Sequence, residues 1–178
     1  MLGIAVAACS SGSTADDGPD KNPTKSAKVS PAPTKSSADP QAQEKKAALA
    51  TYARMWDEQV KAYAKADTES TDLKRYATAN AFARAKSDVM GLKAKGIVAT
   101  GEPQHDTTVT SIDVDREVPR ATLRDCLDTT NWQYQYRKTR KPFPLPKDRI
   151  KKYVVTVKAE QWEKQWMILD VTPHKRAC

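Results

Sequence analysis

The apolar positions of this chain follow two periods, and the switch between them falls at Gly96. From Gln41 onward, Leu49, Tyr52, Ala53, Trp56, Val60, Tyr63 and Ala64 recur at steps of three and four. That spacing predicts one helix of about 25 residues with an apolar stripe. Its opposite face carries Lys45, Lys46, Arg54, Asp57, Glu58, Lys61 and Lys65. Asp67-Thr68-Glu69-Ser70 interrupts the stripe. A short second helix follows around Leu73, Tyr76 and Ala77, with Ser70 or Thr71 as a cap. A third is predicted over Asn80 to Lys95, with Phe82, Val89, Met90 and Leu92 facing inward and Gly96 as its stop.

Beyond Gly96 the period is two. Strands are predicted at Ile97–Thr100, Thr107–Val114, Arg120–Thr129, Asn131–Lys138, Ile150–Ala159 and Gln165–Thr172. Helices first and strands afterwards give an α+β domain. Its sheet is antiparallel, because no helix is left over for parallel crossovers, and the helices lie on one face.

Before Gln41 neither period appears. Residues 10–41 are rich in Ser, Thr, Lys, Ala, Asp and Pro, with Val29 as the only large apolar side chain. Such a stretch cannot bury enough surface to offset its ordering entropy, so it reads as a disordered tether, stiffened by prolines. The organisation is therefore a leader over 1–9, a tether over 10–41 and a folded domain over 42–178.

The leader is an apolar run ending at a cysteine. Val6-Ala7-Ala8-Cys9 resembles the lipobox of bacterial lipoproteins: a branched apolar residue, two small ones, then cysteine. The resemblance implies that Cys9 carries the lipid (diacylglyceryl and palmitate) and becomes the first residue of a mature, membrane-anchored extracytoplasmic lipoprotein. No Lys or Arg precedes the run, and Leu2–Ala8 is short for a signal peptide. The expectation is a leader fragment or a start placed too late. The alternative is a frayed terminus with an incidental cysteine. No other apolar run approaches the roughly 20 residues that span a bilayer.

The formal charge is +8. Residues 10–44 hold four basic and five acidic residues, leaving 26 and 17 in residues 45–178, a net +9 for the domain. A basic surface meets nucleic acid, anionic lipid or acidic polymer. Outside the cytoplasm the last two are expected, not nucleic acid. The charge is densest in Arg137, Lys138, Arg140, Lys141, Lys147 and Arg149, continued by Lys151 and Lys152 around three prolines, Phe143 and Leu145. This segment reads as a hairpin tip that contacts anionic headgroups or wall phosphates, or as a merely solvated loop.

With Cys9 lipidated, Cys126 and Cys178 remain as an even pair in an oxidising compartment, and a disulfide between them is expected. Reactive thiols are the alternative. The two cysteines and the separated His105 and His174 lack zinc-ligand spacing, so no metal and no cofactor is expected. Both histidines read as surface residues.

The element order, Tyr52-Ala53-Arg54-Met55-Trp56, Arg124-Asp125-Cys126-Leu127-Asp128, Trp162 and Trp166 on the last strands and the final Cys178 together resemble the nuclear transport factor 2-like cone found in actinobacterial secreted lipoproteins. The resemblance covers about Lys45 to Cys178. It implies helices packed on a curved antiparallel sheet, often around a pocket, and sometimes pairing through the outer sheet face into oligomers. Enzymes of this kind use an acid, or an acid and a histidine, in the pocket. Asp125 shares the apolar face of a strand with Ala121, Leu123 and Leu127, where burial favours a general base. Trp132, Tyr134 and Tyr136 project together from the next strand and wall a pocket. The plainer reading is an ion-paired Asp125 beside ordinary sheet aromatics. Phosphate loops, nucleophile elbows and zinc-protease helices are absent from the sequence. The expectation is a lipoprotein with a non-catalytic binding or scaffolding domain that meets an envelope polymer or protein. The alternative is an isomerase- or cyclase-like enzyme with Asp125 as its base.

Overall fold

Two helices and a short turn of 3-10 helix lie against antiparallel sheet in the computed structural model, which describes residues 40–178 apart from the side chain of Pro40. The leader, Cys9 and the tether up to residue 39 lie outside the described residues. The first helix, α1 (Pro40–Lys65), begins two residues before the expected domain boundary. Proline suits a helix start because its missing N–H would have no partner there.

The buried stripe of α1 is Ala48, Tyr52, Met55, Trp56, Ala62 and Tyr63. Ala53 and Ala64, expected on that stripe, are exposed. The stripe advances by sevens, from Ala48 to Met55 to Ala62, so Met55 takes the inward position that the alanine pattern suggested for its neighbours. Glu44, just past the first turn, accepts from Trp166 Nε1 at 2.9 Å and Gln161 Nε2 at 2.8 Å. One carboxylate thereby fastens the helix to the far hairpin of the sheet.

The expected second helix shrinks to a single 3-10 turn, Leu73–Arg75. Asp72 occupies its cap position, without a side-chain cap bond, rather than Ser70 or Thr71. The Asp72 backbone N–H instead donates to Glu58 on α1 at 2.9 Å. The next helix, α2 (Ala79–Lys95), ends at Gly96 as the sequence predicts, with Gly96 in the left-handed region at φ 65°. Ala81, Ala85 and Val89 form its buried face. Met90, expected inside, is 60% exposed, because the small residues at four-residue steps are the ones turned to the sheet.

Six strands follow: β1 (Ile97–Thr100), β2 (Gln104–Asp113), β3 (Arg120–Asp128), β4 (Gln133–Tyr136), β5 (Lys152–Trp162) and β6 (Gln165–Ala177). Their pairing is less uniform than one meander. β2-β3-β5-β6 form a four-stranded antiparallel sheet, while β4 leaves it to pair with β1. Register shifts at Val109/Ser111, Tyr153/Val155 and Lys158/Ala159 mark bulges that bend and twist the sheet. The β5–β6 hairpin turns on Glu163 and Lys164, both at positive φ (50° and 69°).

The core lies between the helices and the inner sheet face, around Tyr52, Met55, Leu73, Leu123, Val157, Trp166 and Ile168. The 97–100 strand is buried at Ile97, Val98 and Ala99, with α1 and α2 both packed against it. Cys126 and Cys178 are bonded, with Cα atoms 5.9 Å apart, as the cysteine count implied. Such a bridge is compatible with an extracytoplasmic compartment. No described helix is long and apolar enough to cross a membrane.

Candidate functional site

Alternation along β3 turns Ala121, Leu123, Asp125 and Leu127 toward the helices, as expected, and Asp125 is fully buried. A carboxylate taken out of water costs several kcal/mol unless its oxygens are satisfied. Three side chains satisfy it. Tyr52 of α1 donates its hydroxyl to Oδ2 at 3.0 Å, and Thr107 of β2 donates to Oδ1 at 3.0 Å. His105 of β2 brings Nδ1 to 2.7 Å from Oδ2. Burial, then the charge of Asp125, hold the Tyr52 hydroxyl well above the ordinary tyrosine range.

His105 is thus no free turn residue. Its backbone is at the surface, but its ring turns inward and the side chain is 24% exposed. The ring packs at 4.8 Å from the centroid of Trp56 and stands edge-on to Tyr52 at 5.8 Å. In a neutral imidazole, a carboxylate on Nδ1 fixes the proton there and leaves the lone pair on Nε2. Among the described residues Nε2 has no hydrogen-bond partner.

A groove of about 750 Å³ opens against this cluster. Leu49, Tyr52, Trp56 and Val60 of α1 form one wall, and Pro103, His105 and Thr107 the other. Asp57, Lys61 and Glu102 add charge to its lining. Asp125 does not line it, since Tyr52, His105 and Thr107 stand between. The expected base therefore sits behind the cavity and not on its floor, and the group presented to a bound molecule is the imidazole.

The predicted aromatic wall is only partly assembled. Trp132 and Tyr134 line a separate cavity of about 390 Å³ under α2, with ring centroids 6.0 Å apart. Trp132 belongs to the turn before β4, not to a strand shared with Tyr134 and Tyr136. Tyr136 is 39% exposed and packs edge-on against Phe143 at 5.5 Å, away from both cavities. Burial first, then the Asp88 carboxylate, push Tyr134 up to about 12. The Tyr63 hydroxyl donates to Asp88 at 2.8 Å, and burial raises it further still.

The basic segment is a hairpin tip in its first half only, where residues 137–141 reverse the chain and Pro142 bridges Gln135 in antiparallel fashion. It crosses from the β1–β4 sheet to the four-stranded one, and its first half folds back on β4: Tyr136 N–H donates to Lys141 O at 2.9 Å, and Phe143 N–H to Tyr134 O at 2.8 Å. Arg137 donates to the Lys65 carbonyl at the end of α1, and Arg149 to Thr129 at 3.1 Å. Lys138, Arg140, Lys141 and Lys147 remain exposed. His174 is exposed as expected, with Nε2 2.8 Å from Thr156 Oγ1. Among the described residues no group of three His, Cys, Asp or Glu is placed to hold a metal ion.

Sequence reasoning found Asp125 but missed its partners. Beginning β2 at Gln104 instead of Thr107 puts His105 and Thr107 two residues apart on one face. Tyr52 was visible as part of the helix stripe, but not its pairing with an acid 73 residues away.

No family model matches this chain, and no curated protein matches it. Among solved structures it is similar to the intermembrane space region of the chloroplast protein ARC6, at 12% identity and a TM-score of 0.46, over 72% of this chain and 95% of that one.

Proposed function

We propose that this chain is a membrane-anchored extracytoplasmic protein whose folded part, a cone of the nuclear transport factor 2-like kind, binds a small organic molecule in the groove between α1 and β2. The observation that carries it is the imidazole of His105, oriented by the buried Asp125 and set among Trp56, Tyr52 and Leu49. Aromatic walls with one or two placed polar groups are what small-molecule sites are made of. The disulfide and the lipobox-like Val6-Ala7-Ala8-Cys9 support the location. Exposed Lys138, Arg140, Lys141 and Lys147 would face an anionic envelope polymer or headgroup.

A ligand screen read by long-range imidazole NMR tests the groove. Hits should move the His105 Nε2 resonance and lose that effect in Trp56→Ala; hits that leave His105 unmoved refute it. The anchor is tested separately. Cys9→Ser should shift the protein from the membrane fraction to the soluble one.

The geometry also favours a second reading, an acid–base enzyme of the isomerase or cyclase kind. The 2.7 Å Asp125–His105 contact leaves Nε2 as the proton-accepting atom. His105 would then be the base, and Asp125 would position it rather than act itself. Turnover of any substrate that is lost in His105→Gln and retained in Lys61→Gln would select this reading.

A further inference from the structure

Taking the groove between α1 and β2 as the small-molecule site proposed above, on which this rests, we infer that its ligand is a protonated primary amine on an apolar body. The polar character of the groove is set from behind, by Asp125. Tyr52, His105 and Thr107 all line the groove, and all three turn a proton to that one buried carboxylate, the two hydroxyls at 3.0 Å and the imidazole Nδ1 at 2.7 Å. A hydroxyl has one proton to give, and so has a neutral imidazole. None of the three keeps a donor for a bound molecule, and His105 is left with the lone pair of Nε2.

The remaining polar side chains of the lining tip the balance the same way. Asp57 and Glu102 are exposed carboxylates, which only accept, and neither is in a hydrogen bond or an ion pair among the described residues. Trp56 Nε1 is a donor, but it is sealed from the surface, so a ligand in the groove does not reach it. Lys61 is the one cation of the lining. It donates to Glu58 at 2.6 Å, with Asp57 and Asp72 also within electrostatic reach, so its charge is already matched. The groove thus offers acceptors and two carboxylates against one neutralised ammonium, in a domain whose net charge is +9. An ammonium brings three donors and the opposite charge, and charge-assisted bonds of this kind are the strong ones. A carboxylate or phosphate ligand would meet like charges and no free donor. Leu49, Val60 and Pro103 supply apolar surface for the rest of the molecule.

The full chain can be titrated at low salt and about pH 8, above the ordinary histidine value, with three probes that share one body: phenethylamine, phenethyl alcohol and hydrocinnamate. The readout is the imidazole resonance of His105. The amine should move it in a saturable way and bind about tenfold more tightly than the alcohol, the value of one charge-assisted hydrogen bond. The carboxylate should bind more weakly than either. Asp57→Asn combined with Glu102→Gln should bring the amine down to the affinity of the alcohol while the spectrum stays dispersed. An alcohol or carboxylate that binds as tightly as the amine, or an amine affinity untouched by the double change, overturns the amine and leaves the groove standing as a small-molecule site. A His105 resonance that answers none of the three probes overturns both.

Discussion

His105 Nδ1 reaches Asp125 Oδ2 across a diagonal of the β2–β3 ladder: His105 is directly opposite Leu127, and Asp125 is opposite Thr107. Diagonal neighbours on one face of a sheet are close enough for a ring to span. Removing the acid strands three donors at once. Asp125→Ala is expected to cost about 3–5 kcal/mol in urea unfolding, and His105→Ala about 1–2 kcal/mol. Because the two groups touch, the double variant should fall short of the sum by roughly 1 kcal/mol or more. Strict additivity would mean that the contact contributes little.

What could be foreseen here depended on the range of the interaction. The α1 helix, the Gly96 stop and the inward face of β3 come from local period and local backbone preference, and they are present as expected. The short helix after Asp72 failed because tertiary bonds, Asp72 N–H to Glu58 and Ile168 N–H to Tyr76 O, replace helical ones. The departure of β4 from the main sheet has no local signature, since its alternation serves either partner equally. Asp125 was legible as an acid on an apolar face. Its partners were not, because Tyr52, His105 and Thr107 are joined to it only through register and helix packing.

The β5–β6 turn is a place where the sequence works against the fold. A two-residue hairpin with both central residues at positive φ favours Asn-Gly, and this chain has Glu163-Lys164. L-residues with longer side chains hold that conformation at a cost of about 1 kcal/mol each. The double change Glu163→Asn, Lys164→Gly should therefore stabilise the protein by roughly 1–2 kcal/mol, visible as a higher urea midpoint with an unchanged slope.

The Cys126–Cys178 bridge closes a separation of 52 residues. On the chain-entropy account, a loop of that length contributes about 4 kcal/mol. Cys178→Ser should lower the melting midpoint by roughly 10–20 °C, and reducing the native protein should bring it to the same value. A bridge that merely decorates an already fixed strand end would leave both midpoints unmoved.

Alkaline stability follows from the buried phenols. An unfolded tyrosine ionises near 10, whereas Tyr134 in the fold is pushed up to about 12 by burial and by Asp88. Between these values the unfolded chain has released a proton that the native one keeps. The contribution is thus complete below about pH 10 and disappears as pH climbs through about 12. Tyr52, Tyr63 and Tyr153 are raised for the same first reason, burial, and act in the same direction. The denaturant midpoint should drop steeply from pH 10 to 12, and Tyr134→Phe should soften the drop. Phenolate absorbance should lag behind that of the unfolded chain over the same interval.

The short link between the 3-10 turn and α2 bonds to β6 on the side away from β5: Thr78 N–H donates to Ile168 O at 2.9 Å, Ile168 N–H to Tyr76 O at 2.8 Å, and Ala77 bridges Ile168 in parallel. A stray chain seeking to stack onto the molecule would find those backbone groups already engaged. Fibrillar growth along that margin is blocked near the start of β6, and at the opposite margin of the same sheet, β2, the exposed Asp106 sets a charge against an incoming strand.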